Sequence, residues 1–143
     1  MNPTSSRSPL AALLPLASRF LLAAIFIASG LGKLAEPAAT QAYIASVGAP
    51  LPLVAYAIAV IVELGGGVML LLGYRTRMVA LALAVFTVVA GVLFHNNFAD
   101  QIQMIMFMKN LAIAGGLLHV VAFGAGGLSV DQRRAVPGRV RTA

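Results

Sequence analysis

Four long apolar blocks alternate with short polar breaks along the chain, near Leu14 to Leu34, Leu51 to Leu72, Met78 to His95 and Ile102 to Phe123. A helix needs roughly 20 mostly apolar residues to cross about 30 Å of hydrocarbon, and each block is close to that length. The pattern predicts an all-α fold, a four-transmembrane-helix bundle occupying 14–127. A segment 1–13 precedes it and a basic tail, 128–143, follows. The first block carries Pro15 and Arg19 and is followed by no clear cleavage site, so it reads as a retained span rather than a signal peptide.

The breaks carry turn chemistry. Glu36-Pro37 ends the first block, Gly48-Ala49-Pro50-Leu51-Pro52 opens the second, and Gly73 closes it. The link from Gly73 to Arg77 is so short that the second and third spans must be antiparallel neighbours, with Tyr74 at headgroup level. Pro37 to Val47 is too short to span. Tyr43, Ile44 and Val47 form an apolar face there against Gln41 and Ser46, which predicts an interfacial helix. The tail beyond Leu128 is expected to be frayed.

Charge then orients the bundle. Eight of the ten bases fall on one side: Arg7, Arg19, Arg75, Arg77, Arg133, Arg134, Arg139 and Arg141. By the positive-inside rule this side, with both termini, is expected in the cytoplasm. The net charge of +6 therefore reads as topology and attraction to anionic lipid, not as nucleic-acid binding. A 60% hydrophobic composition with 10% charged residues agrees with a membrane domain. The absence of cysteine excludes thiol redox chemistry and Cys-ligated metal on this chain.

A few polar residues interrupt the apolar blocks. Glu63 stands near the centre of the second span, where a lipid-exposed carboxylate costs roughly 2.5 to 3.5 kcal/mol. It is expected to face protein, on the helix side shared by Tyr56, Ala59, Val60, Gly67 and Leu70. In the first span Arg19, Ala23, Phe26, Gly30 and Lys33 return within about 40° of one another and define an inward stripe. Arg19 suits either lipid anchoring or inward pairing, and Lys33 either a snorkelling or an interior role. Lys109, beside Asn110, lies about 10 Å inside a continuous fourth helix and is the expected counter-ion of Glu63; the alternative is a helix that starts only at Lys109.

His95, with Asn96 and Asn97, is expected to line an outer vestibule or cap its helix, and His119 to be a hydrogen-bonded interior residue. Their different depths argue against haem ligation. No metal spacing, P-loop or dinucleotide fingerprint is present, so no metal or nucleotide is expected. Gly115 and Gly116 permit close helix packing.

In this order, several short pieces resemble the DoxX family of small bacterial inner-membrane proteins. They are Arg19-Phe20-Leu21-Leu22 leading to Gly30-Leu31-Gly32-Lys33, Val47 to Pro52, Glu63-Leu64-Gly65-Gly66-Gly67, and Leu72-Gly73-Tyr74-Arg75-Thr76-Arg77. His95, Lys109-Asn110-Leu111-Ala112 and Gly126-Gly127-Leu128-Ser129-Val130-Asp131 continue the match. The resemblance implies a polar core of Arg19, Lys33, Glu63, Arg77, Lys109 and Asn110. It also implies a membrane subunit or anchor of a quinone-linked oxidoreductase, with quinone as the possible cofactor and a redox protein as the possible partner. A Glu63, Lys109 and Tyr56 cluster would then serve the quinone head group. The alternative is a non-enzymatic scaffold or a permeation module for protons or small solutes. Four short helices offer little interior, so a homo-oligomer is also plausible.

Overall fold

The computed structural model describes residues 9–135. Residues 1–8 and 136–143, with Arg7, Arg139 and Arg141, lie outside the described part. Six helices follow in chain order: α1 (Pro9–Ala35), α2 (Pro37–Ser46), α3 (Pro52–Leu72), α4 (Thr76–Phe94), α5 (Gln101–Phe123) and α6 (Val130–Ala135). No strand occurs among the described residues. Four of these helices are long and apolar enough to cross a membrane, and the described spans match the four apolar blocks to within a few residues at each end.

Local chemistry sets the boundaries. Pro37 and Pro52 open α2 and α3 at helix positions where a missing N–H costs nothing. The N–H of Gly73, at φ +70°, bonds to the Leu70 carbonyl and that of Tyr74 to Met69, a Schellman ending that turns the chain into α4 within four residues. The Asp100 carboxylate caps α5, accepting from the Ile102 and Gln103 amides at 2.8 and 3.3 Å. α5 therefore begins at Gln101 and runs unbroken through Lys109, not from Lys109 onward.

Two glycines set the crossing of α1 and α3. A Cβ on Gly30 would stand 2.6 Å from Leu64 Cγ, and one on Gly67 would stand 2.9 Å from Ile27 Cγ1 and 3.3 Å from the Ile27 backbone nitrogen. The backbones approach this closely only because no side chain intervenes. α4 packs antiparallel to α5, with Asn110 and Phe107 seated over Gly91, and Leu22 of α1 closes the ring against Gly116. Ala23, Leu70, Ala80, Leu83, Ala84, Ala114 and Leu117 fill the half of the bundle nearer the termini. Outward-facing positions are large and apolar, with Leu21 and Ile61 each 70% exposed, the surface a helix presents to lipid tails.

The tail differs from the sequence expectation. Residues from Leu128 to Ala135 are not frayed: α6 docks on the α3–α4 turn, where the Asp131 amide bonds to the Gly73 carbonyl at 2.9 Å. Its carboxylate accepts from the Arg75 and Thr76 amides at 2.8 Å each and from Thr76 Oγ1 at 2.7 Å. Asp131 thus caps α4 from 55 residues away, a contact that no local sequence pattern announces. Burial pushes the Asp131 carboxyl up, but the Thr76 and Arg75 hydrogen bonds and the Arg134 charge outweigh it and hold the group below its ordinary value.

Candidate functional site

Glu63 occupies a single π-helical turn, Ile61–Gly65, in the middle of α3. Such turns widen a helix locally and shift the facing of the residues within them, and they recur at functional sites. Glu63 is 5% exposed and points toward α1. Its partner there is Lys33. The ammonium lies 2.9 Å from Oε1 and 2.8 Å from Oε2, and it also donates to Ser29 Oγ at 2.8 Å. Ser29 Oγ in turn donates to Glu63 Oε1 at 3.1 Å. Three side chains of two helices therefore share one charge-neutral cluster.

This corrects the expected Glu63–Lys109 pairing. α5 packs chiefly on α4, so Lys109 reaches the region from the far wall, and its ammonium donates to Met106 Sδ at 3.2 Å rather than to a carboxylate. The inward stripe of α1 already placed Lys33 on the right face. What the stripe lacked was the identity of its neighbour, and the Gly30 and Gly67 contacts supply it.

The ion pair lines a cavity of about 800 Å³ that α2 helps to wall. Phe26, Phe86, Phe94 and Tyr43 furnish apolar surface, and the Tyr43 and Phe94 rings stack with centroids 5.3 Å apart. Lys109, Asn110, His95, Ser29 and Thr87 add polar groups. One buried oxygen on its walls, Thr87 Oγ1, has no hydrogen-bond partner among the described residues, while Glu63 Oε2 lies 2.8 Å from the Lys33 ammonium. Buried polar atoms are nearly always partnered, so this hydroxyl marks unused bonding capacity on the cavity wall. Toward the termini the cavity ends at the packed core around Leu83, Leu70 and Leu117, each at most 1% exposed.

The remaining candidates fall in different places. Tyr56 donates to the Lys33 carbonyl at 3.3 Å, bracing the end of α1 rather than touching Glu63. His95 caps α4 and lines the cavity, with Nδ1 2.8 Å from Gln103 Oε1. His119 is a correction: it is exposed on the outer face of α5 and stacks on Phe123 at 4.4 Å, because α5 turns Leu117 and Val120 inward instead. Arg19 turns inward, 1% exposed, but belongs to a second cluster near the termini. Its guanidinium donates to the carbonyls of Leu70 at 3.3 Å, Leu71 at 3.1 Å and Leu128. Arg77 lies at that same end, exposed and beside Gly124. The part that sequence reasoning missed is α2 as a cavity wall; its Tyr43–Ile44 apolar face was the available signal.

Comparison with known proteins settles the family. The DoxX family profile matches residues 14–96. The chain belongs to the DoxX family. Among similar curated proteins, inner membrane protein YqjF of Escherichia coli (strain K12) is 42% identical over 120 residues, covering 82% of this chain and 88% of that protein. Inner membrane protein YphA of the same strain is 35% identical over 123 residues, again 82% and 88%. The ER-derived vesicles protein ERV29 of Saccharomyces cerevisiae is 30% identical over 82 residues, 54% of this chain and 26% of that protein. No solved structure matches significantly. With four candidate spans and named inner-membrane relatives, this DoxX protein is a multi-pass inner-membrane protein. The family match reaches Lys33 and Glu63 but stops at Asn96, short of Lys109 and Asn110.

Proposed function

We propose that the chain is a membrane subunit or anchor of a quinone-linked oxidoreductase and that the cavity beside Lys33 and Glu63 seats the quinone ring. The observation that carries this reading is the Lys33–Glu63 ion pair, with its carboxylate buried, on the wall of a largely apolar cavity. A flat ring with carbonyl oxygens suits that donor set: Phe26, Phe86 and Phe94 offer apolar faces, while Lys33, Lys109 and the Asn110 amide offer hydrogen-bond donors.

A bound quinone would supply the two-electron, two-proton acceptor. The chain's own residues would bind and orient it and manage protons. Lys33 would direct positive charge at an oxygen gaining electron density, and Glu63, linked to Ser29 Oγ, would hold or release a proton at its carboxylate. Because the chain has no cysteine, its electrons would come from a partner protein. The basic end, with both termini, is assigned to the cytoplasm on the positive-inside rule.

Two further readings stand beside this one. Permeation of protons or small solutes through a single protomer is opposed by the core around Leu83, Leu70 and Leu117, which closes the cavity toward the termini. A scaffold role needs no ligand at all. Native purification followed by lipid extraction separates these readings. Copurified quinone, lost together with quinone-dependent electron transfer in Glu63→Gln, is the expected outcome. If no quinone or redox partner copurifies and Glu63→Gln leaves electron transfer unchanged, the scaffold reading stands instead.

A further inference from the structure

A second pocket, of about 500 Å³, opens at the basic end, between the start of α4 and the end of α5. Its lining is amphipathic. Arg75 and Arg77 line it, as does the glycine-rich segment 124–127, where Gly124 and Gly126 adopt positive φ. So do Met78, 67% exposed, and Phe123, 72% exposed, which belong to the lipid-facing surface of the two spans.

The arginines form no ion pair with the acid beside them. Asp131 also lines the pocket, but its two oxygens are taken by the Arg75 and Thr76 amides and the Thr76 hydroxyl, and neither Arg75 nor Arg77 forms a salt bridge among the described residues. The Arg77 guanidinium lies beside Gly124, its Nε 3.4 Å from where a Cβ would stand, in van der Waals contact with the pocket wall. Two arginines at headgroup level, continuous with exposed apolar surface running into the bilayer, complement one molecule: a phospholipid with an anionic headgroup. Basic pockets between membrane helices bind such headgroups.

We infer that this pocket is a specific anionic-phospholipid site, with the phosphate between Arg75 and Arg77 and an acyl chain lying over Met78 and Phe123. A soluble phosphate would use the arginines but gain nothing from those two apolar side chains. The site is independent of the cavity beside Glu63, so either assignment can fail without the other.

Native mass spectrometry of the full chain in detergent, titrated with phosphatidylglycerol or phosphatidylcholine, tests the assignment. Phosphatidylglycerol is expected to be retained at least about tenfold more tightly, and Arg75→Gln with Arg77→Gln to erase that preference, at about fivefold per arginine. Arg133→Gln, at the same end but outside the pocket, is expected to cost less than about twofold, as a solvent-screened charge that touches no headgroup. Glycerol 3-phosphate is expected not to displace the lipid. Equal retention of both lipids overturns the inference. So does an equal loss per base from Arg133→Gln, which would mean diffuse attraction, or displacement by glycerol 3-phosphate, which would mean a soluble-anion site. If the double variant does not fold, Arg77→Gln alone decides: retention of the full preference overturns the assignment.

Discussion

Lys33 and Glu63 each make the other tolerable inside the membrane. Removing one partner of a buried pair leaves an uncompensated charge, a loss of about 3 to 5 kcal/mol, whereas replacing both is often nearly neutral. Lys33→Met is therefore expected to destabilise the bundle in detergent unfolding by about 3 kcal/mol, and Lys33→Met with Glu63→Gln to recover most of it. A double variant as unstable as the single would show that the pair does not act as a unit. Arg19 makes a different kind of contact, because one planar guanidinium satisfies carbonyls from α3 and from the segment before α6. Arg19→Lys keeps the charge but loses the fork, and is expected to restore less than half of the roughly 3 kcal/mol that Arg19→Ala costs. At this scale the sequence disclosed which residues were anomalous, since charges inside apolar blocks stand out. It did not disclose the partner of Glu63: Lys109 is the counter-ion the sequence suggests, and Lys33 takes its place only once the neighbour of α3 is known.

Among the elements, the α1–α3 crossing decides that partner, and it rests on atoms that are missing. Gly67→Ala would drive a methyl into Ile27 Cγ1 and toward the α1 backbone, so it is expected to cost about 1 to 3 kcal/mol and to loosen the Lys33–Glu63 pair. Gly32→Ala meets nothing within 4 Å and is expected to be neutral or to stabilise by about 0.5 to 1 kcal/mol, which thermal unfolding of the two variants side by side would check. Both glycines look alike in the sequence, because a helix position reveals its face but not what approaches it. The four spans were legible because bilayer thickness fixes their length whatever they pack against. The docking of α6 was not, since Asp131 recognises backbone amides of a remote turn. That docking should depend on pH. The Asp131 value is lowered in the folded chain, so its stabilising contribution is present above the ordinary carboxylate value of about 4 and is lost as pH falls through the folded value beneath it. Protection of the amides at residues 130–132, measured against their intrinsic exchange rates, is expected to fall in acid, and Asp131→Asn to show the reduced protection already at neutral pH.

As a whole, the molecule has two unlike ends. Arg19, α6 and the Schellman turn tie α1, α3 and α4 together at the end that bears both termini, and the apolar core lies just inside it. The other end is held mainly by side-chain contacts such as the Tyr43–Phe94 stack, and it contains the cavity. Rigidity on one side and a ligand-sized space on the other make orientation a functional matter, because it determines which compartment can exchange protons or ligand with Glu63. The natural absence of cysteine makes the orientation directly measurable. A single cysteine at Ser46, exposed at the cavity end, is expected to react in intact spheroplasts with a membrane-impermeant maleimide, whereas one at Arg134, exposed at the basic end, should react only after the membrane is opened. The reverse pattern would place the cavity mouth on the cytoplasmic side and would make the eight bases an exception to the charge rule that orients most inner-membrane proteins. Lys33 and Glu63 would then exchange with the cytoplasm, and any redox partner would have to dock against α2 from that side.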